Sequence, residues 1–161
     1  MVSLIVAMDQ EGGIGKSNSL MWRLPGDMKF FKETTLNKVV IMGRKTYDSL
    51  PSAFKPLPQR TNIVITRDQS FSANGCLIYY SLESAIHSFK DVFIIGGGML
   101  YAEALQNDLV DQMFITSVQG TFGADTFFSF DKSNWNEELL LEQAADEKHL
   151  HGFSISKYTK R

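Results

Sequence analysis

Short, almost uninterrupted apolar runs rich in β-branched residues recur along the first two thirds of this chain, with helix-like segments between them. The runs are Leu4-Ile5-Val6-Ala7, Val39-Val40-Ile41-Met42, Asn62-Ile63-Val64-Ile65-Thr66, Cys76-Leu77-Ile78-Tyr79, Val92-Phe93-Ile94-Ile95 and Met113-Phe114-Ile115-Thr116. A strand with one wet face alternates apolar and polar residues. A run without alternation describes a strand covered on both faces. Pro25 to Leu36, Arg44 to Leu50, Leu82 to Phe89 and Gly98 to Gln106 lie between or after these runs and read as helices. Pro25 suits a first helical turn, where its missing N–H has no intrahelical partner. Ser81 can cap the third helix, with Glu83 in its first turn. Strands alternating with helices predict an α/β fold with a mostly parallel sheet. The last third differs. Phe153-Ser154-Ile155-Ser156-Lys157-Tyr158 alternates as a half-exposed strand does, and Asn136 to Glu142 forms another candidate, so this end predicts antiparallel strands.

The bulk properties narrow the function. A length of 161 residues predicts one domain with a real core. The formal net charge of −2 offers no basic face for nucleic acid. A small anionic ligand stays open, because a few local cations suffice. The single cysteine, Cys76, cannot form an internal disulfide, which fits a reducing compartment. The start of the chain lacks a basic leader region and reads as a buried strand. No apolar run approaches a membrane span. The expected location is the cytoplasm.

Several segments could carry chemistry. Gly12-Gly13-Ile14-Gly15-Lys16-Ser17 suggests a phosphate-binding loop, but the motif's first glycine falls at Gln10 and no helix follows Ser17. A flexible glycine-rich lid is the better reading. Ile95-Gly96-Gly97-Gly98 joins a strand to a helix. It lacks the Rossmann spacing, yet it lets backbone approach a ligand at a helix N-terminus, where phosphate is favoured. A tight turn without a ligand is the alternative. Met42-Gly43-Arg44-Lys45-Thr46 repeats the strand–glycine–helix geometry and puts two cations where the helix dipole disfavours them. A bound anion, shared with Arg67, would relieve that conflict. A solvated charged face is the alternative. His87, His149 and His151 have no metal-ligand spacing, and the last two read as part of a solvated hairpin.

The segment Trp22-Arg23-Leu24-Pro25-Gly26-Asp27-Met28-Lys29-Phe30-Phe31 is the most pointed. With a helix from Pro25, Asp27 shares a face with Leu24, Met28 and Phe31, which should point inward. A carboxylate there needs a partner. It could instead be a first-turn acid that only favours the dipole.

Taken together, these residues closely resemble dihydrofolate reductases of the bacterial chromosomal type. The likeness runs in order through Ile14-Gly15, Asn18, Trp22-x-Leu24-Pro25-x-Asp27, Phe31-Lys32-x-x-Thr35 and Val40 to Thr46. It continues through Leu57-Pro58-x-Arg60-x-Asn62, Ile95 to Gly98 with Tyr101, Thr116, and Gly123 to Phe128. It implies a single domain over residues 1–161 with an eight-stranded, mostly parallel sheet, antiparallel C-terminal strands and four flanking helices. It also implies reduction of 7,8-dihydrofolate by NADPH in one-carbon metabolism, by a cytoplasmic monomer that antifolates inhibit.

Residue by residue, the resemblance makes Asp27 the partner of the pterin N3 and 2-amino group and the source of proton assistance at N5. Thr116 would orient Asp27, and Trp22 would place a water. Val6, Ala7, Met28, Phe31, Leu50, Leu57, Ile95 and Tyr101 would wall the substrate. Arg60 would clamp its glutamate carboxylate, and Lys32 would stand at the mouth. For the cofactor, Gly96, Gly97 and Gly98 would face the pyrophosphate, with a cis bond between the first two. Gly43, Arg44, Lys45 and Thr46 would take phosphates, with Arg44 and Arg67 near the 2′-phosphate, and Thr66 would also contact the cofactor. Ala7, Ile14, Gly15, Leu20, Ile95, Met99, Leu100, Tyr101 and Thr126 would line the remainder, and residues 12 to 24 would form the closing loop. No metal is implied.

The chain departs from the family pattern at Leu20, Met21, Met99 and the longer loop at Ser52-Ala53-Phe54. Two rival readings remain at this level. One is a related pyrimidine reductase of flavin synthesis, which lacks the Trp-x-Leu-Pro-x-Asp segment. The other is a nucleotide-binding module without catalysis, which has no use for both Asp27 and Arg60.

Overall fold

The computed structural model describes residues 1–161. Its elements are strands β1 (Val2–Met8) and β2 (Gly13–Gly15), helix α1 (Pro25–Thr35), β3 (Val39–Gly43), α2 (Arg44–Ser49), β4 (Thr61–Ile65), β5 (Cys76–Tyr79) and α3 (Leu82–His87). They continue with β6 (Val92–Gly96), α4 (Gly98–Gln106), β7 (Gln112–Val118), β8 (Thr126–Phe127), β9 (Trp135–Gln143) and β10 (Phe153–Lys160). The main sheet has eight strands in the order β5-β4-β3-β6-β1-β7-β10-β9, parallel except where β10 runs against both β7 and β9. The expected α/β architecture is therefore present, with four α-helices. Ser81 caps α3 as expected, its side chain accepting from the Ser84 N–H. That helix ends at His87, two residues short of the expected Phe89.

The unbroken apolar runs have the cause inferred for them. Leu4, Val6, Ile41, Ile63, Ile94 and Met113 point to one side and join Leu82, Ala85 and Ile86 of α3 with Leu100, Tyr101 and Ala104 of α4. The alternate residues Ile5, Val40, Met42, Val64 and Phe93 point to the other side, against Phe30 and Phe31 of α1 and Tyr47 of α2. Each central strand is thus buried on both faces, and period two is invisible in its hydropathy. The C-terminal strand keeps the alternation partly, with Phe153, Ile155 and Tyr158 buried. No helix is long and apolar enough to cross a membrane.

The strand order also locates a crevice. From β1 the chain moves toward β3 on one side, and from β6 it moves to β7 on the other. In open α/β sheets, ligands bind at the carboxyl ends of strands where connections diverge in this way. Here those ends carry Ala7, Gly43, Gly96 and Thr116, with Ala7 in register with Thr116 and Met42 with Gly96.

Three local expectations need correction. The glycine-rich segment is not only a loop: Gly13–Gly15 pairs antiparallel with Thr126–Phe127 in a separate two-stranded ribbon. The face of α1 is not uniformly inward. Leu24 is 1% exposed, whereas Met28 is 47% exposed and joins no core cluster. His149 does not belong to a solvated hairpin; it is buried, with its ring against Phe153.

Candidate active site

Helix α1 starts at Pro25, so Asp27 falls in its first turn. Its carboxylate does not cap that helix. Asp27 Oδ1 accepts a hydrogen bond from the Thr116 hydroxyl on β7, at 2.7 Å. Two elements distant in sequence thus fix one acid, with Thr116 beside Ala7 of β1. Burial disfavours the charged form and pushes the Asp27 carboxyl above the ordinary carboxylate range, while the Thr116 bond pulls the other way and is the weaker of the two. The side chain is a sheltered acid with one neutral hydrogen bond and no ion pair. Such a group can bind a nitrogen-rich edge and keep its proton to higher pH than an ordinary carboxyl does.

On the α1 side of the sheet Leu57 is buried and Phe31, Leu50 and Ile95 are half-buried, and Ala7, paired with Thr116, is half-buried too, whereas the buried Val6 side chain packs on the α3 and α4 side. Trp22 packs its ring at 5.3 Å from that of Phe122. Lys32 is exposed on α1. Arg60 is more constrained than its position suggested. Its Nε donates to the Pro58 carbonyl at 2.9 Å, and one terminal nitrogen donates to Thr35 Oγ1 at 3.2 Å. The loop that presents it is tied down by Asn62, whose amide donates to the Leu57 and Arg60 carbonyls and whose oxygen accepts from the Leu57 N–H. The remaining guanidinium donors stay free for a carboxylate. Burial lowers the Arg60 pKa. Thr35 and Asn62 carried no assigned role; the polar residue inside an apolar strand run was the signal for Asn62.

On the other side of the crevice, the Gly96–Gly97 bond is cis. A Cβ at Gly96 would come 3.3 Å from Thr46 Oγ1, and one at Gly97 would come 3.2 Å from it. A Cβ at Gly98 would lie 2.8 Å from Thr126 Cγ2 and 3.7 Å from Ile14 Cδ1. Gly96–Gly98, Thr46, Thr126 and Ile14 are therefore one cluster. Neither α2 nor α4 has a side-chain cap or an acid in its first turn. Their amide donors flank backbone that only glycine allows, a cradle that suits a pyrophosphate. The Asn18 amide, from the loop after β2, donates to the Lys45 carbonyl at 3.0 Å. Asp125 latches that loop further: its carboxylate accepts from the Ser17 N–H at 2.8 Å, and its own N–H donates to the Gly15 carbonyl at 2.9 Å.

Not every assigned residue behaves as expected. Leu100 turns its side chain into the core, so it can offer only backbone. The Tyr101 hydroxyl is spent on the Ile5 carbonyl at 2.7 Å. One first-turn cation of α2 is already matched. Arg44 pairs with Asp68 at 3.1 Å and Asp48 at 3.7 Å, and its guanidinium lies 4.5 Å from the centre of the Phe71 ring. Carboxylates thus relieve the conflict at Arg44, one of the two first-turn cations, and leave Lys45 without such a partner. Lys45 and Arg67 are exposed, Thr66 Oγ1 accepts from the Asp68 N–H, and Leu20 and Met99 stand open at 74% and 89% exposure.

Comparison with known proteins identifies the family. Residues 1–160 match the family model described as dihydrofolate reductase. The chain is 39% identical to the dihydrofolate reductase of Staphylococcus aureus strain Mu50 over 149 residues, covering 92% of this chain and 91% of that one. It is 35% identical to the Bacillus subtilis strain 168 enzyme over 165 residues, covering 100% and 95%. Among solved structures, it is similar to a dihydrofolate reductase from Enterococcus faecalis complexed with NADP(H) and RAB-propyl. That likeness has a TM-score of 0.90 and 34% identity, over 100% of this chain and 96% of that one. With the match running from end to end in both sequence and fold, the chain belongs to the dihydrofolate reductase family.

Proposed function

We propose that Asp27 is the acid that binds the pterin and assists its protonation in the NADPH-dependent reduction of 7,8-dihydrofolate, with residues 1–161 acting as one domain. The observation that carries the reading is the sheltered Asp27 carboxylate on Thr116, across the crevice from the glycine cradle. In this reading the carboxylate takes the N3 and 2-amino edge of the pterin, and Thr116 holds it in the plane of that ring. NADPH, when bound, supplies the hydride that goes to C6. The chain's part is alignment, exclusion of water and a proton for N5. A raised Asp27 pKa favours that proton, and Trp22, packed on Phe122, is assigned the placing of the water that carries it.

Val6, Ala7, Met28, Phe31, Leu50, Leu57 and Ile95 wall the substrate in this assignment. Gly15, Leu20, Met99 and the backbone of Leu100 belong to the cofactor side. The same reading sets the enzyme in the cytoplasm as a monomer and makes antifolates competitors at Asp27. The flavin-pathway and non-catalytic alternatives gain nothing from the structure. The direct test is NADPH consumption by purified protein, seen only when dihydrofolate is added. No consumption would overturn the reading.

Two further outcomes follow from the cations. Replacing Arg60 with alanine removes the proposed clamp for the glutamate carboxylate and raises the dihydrofolate Kd about 10- to 100-fold, as for loss of a charge-assisted bidentate pair. The hydride step in saturated enzyme changes little. An unchanged Kd in a folate titration would refute the clamp. Replacing Arg44 with alanine weakens NADPH about tenfold and NADH less, because only NADPH carries the 2′-phosphate. Asp68 and Asp48 already neutralise part of Arg44, which keeps the effect at the low end. Equal losses for the two cofactors would put the phosphate elsewhere.

A further inference from the structure

Helix α1 is capped from outside. Its N-cap residue, Leu24, has no side chain that can accept, and Pro25 has no N–H. The first free donor of the helix is therefore the Gly26 N–H, one residue before Asp27. It donates to Nε2 of His149 at 3.0 Å, across 123 positions of sequence. The imidazole's other nitrogen, Nδ1, lies 3.0 Å from Asp146 Oδ1, which also accepts from the Lys148 and His149 N–H groups.

The protonation pattern follows from the donors. An amide can only donate, so Nε2 must be an acceptor, and the ring proton sits on Nδ1 facing Asp146. The ring is tightly seated. A Cβ at Gly26 would come 3.1 Å from both His149 Nε2 and Phe153 Cζ, so a side chain there would crowd the ring and push it a few tenths of an ångström away. The charged partner of the ring is Asp146 on its own loop. What α1 and β10 bring against it, Gly26 and Phe153, is uncharged. The ring hydrogen bond is the largest of the effects that hold Asp146 below the usual carboxylate range.

We infer that His149 is a positioning residue for the reaction: oriented by Asp146 as a neutral imidazole, it pins the first turn of α1 and so sets where the Asp27 carboxylate stands relative to Thr116. A doubly protonated ring would turn an N–H toward the Gly26 N–H and put positive charge at the helix N-terminus, where it is unfavourable. The contact therefore works only with the neutral ring. This inference rests on the role proposed for Asp27.

The test compares His149→Leu, which keeps bulk without an acceptor, with His149→Gln, whose side-chain oxygen can accept from Gly26 and does not titrate. With saturating NADPH, His149→Leu lowers kcat/KM for dihydrofolate about tenfold, as for a small misplacement of a reacting group. It also shifts the midpoint of the pH–rate profile, while NADPH affinity stays at the wild-type value. His149→Gln restores most of the rate. A purely structural histidine would lower Tm without moving the profile of the folded enzyme. Wild-type kcat/KM and profile in His149→Leu, or equal rate losses in the two folded variants, would overturn the inference.

If the leucine variant does not fold, amide NMR on the unaltered protein decides. The Gly26 and Asp27 amide shifts should titrate with the same midpoint as the His149 ring. A Gly26 amide silent through that midpoint overturns the inference. Failure of the underlying reading looks different, because Asp27→Asn would then keep full activity while the Gly26 amide still follows the His149 ring.

Discussion

Asp27→Asn lowers turnover with dihydrofolate by about 10²–10⁴-fold at neutral pH, the range for lost general acid–base assistance. Asparagine keeps the shape and can still accept the Thr116 hydrogen bond, which spans 2.7 Å in the wild type, so the loss reports chemistry and not geometry. The pH dependence separates the two enzymes. The wild-type rate falls as pH rises through the elevated Asp27 pKa, because the protonated acid is being lost. The asparagine variant has no such limb.

Stability moves the other way. The folded-state pKa of Asp27 lies above the unfolded value, so this carboxyl favours the fold fully below the unfolded pKa, and that contribution is lost as pH rises through the folded pKa. Above the folded pKa the ionised, sheltered carboxylate is a burden that asparagine removes. The variant is therefore at least as stable as the wild type there. Steady-state kinetics across pH, with thermal melts at the same pH values, check both statements. A variant with wild-type turnover would make Asp27 an ordinary first-turn acid. One that is slow and also much less stable would trace the loss to misfolding.

Gly96→Ala is the second large effect. Gly96 has φ of +136°, a conformation that L residues rarely adopt, and its new Cβ would meet Thr46 Oγ1 at 3.3 Å and Tyr101 Oη at 3.5 Å. Neither neighbour yields easily. Tyr101 is buried with its hydroxyl on Ile5, and Thr46 lies within α2, two residues after its start. Holding a non-glycine residue in such a region costs about 1–3 kcal/mol. For a domain of this size that lowers Tm by about 2–12 °C. The functional loss is larger than the stability loss suggests, because the turn that relaxes is the one proposed to face the pyrophosphate. NADPH affinity falls by at least about tenfold, the loss expected when a backbone donor at an anion site is misdirected. Thermal melts and a fluorescence titration with NADPH read the two effects separately. A lower Tm with wild-type Kd would make the glycine a matter of packing alone, and wild-type values of both would overturn the prediction.

The sheet was legible in the sequence because burial on both faces leaves a signature inside each segment. Val39–Met42 and Val92–Ile95 need no partner to be recognised as strands, and the alternation in Phe153–Tyr158 marks a different environment. Pro25 set the start of α1 and thereby the place of Asp27 in its first turn. The three glycines at positions 96–98 marked a close approach of backbone. Less legible was anything that depends on a partner. Arg44 looked like a free cation at a helix start, but Asp68, twenty-four positions away, occupies it. Met28 looked inward because helical period defines a face without saying how much of that face the sheet covers, and Met28 is left 47% exposed. Gly13–Gly15 looked like a loop because its partner, Thr126–Phe127, is remote and too short to show strand character by itself.

What the sequence alone determined was the kind of fold, the acid and the glycine turn, since periodicity, proline and glycine act on the backbone within a few residues. Only the tertiary structure decided which groups meet. Thr116 finds Asp27 across 89 positions and His149 finds Gly26 across 123, and a hydrogen bond of about 3 Å is a fact of space that no local pattern encodes.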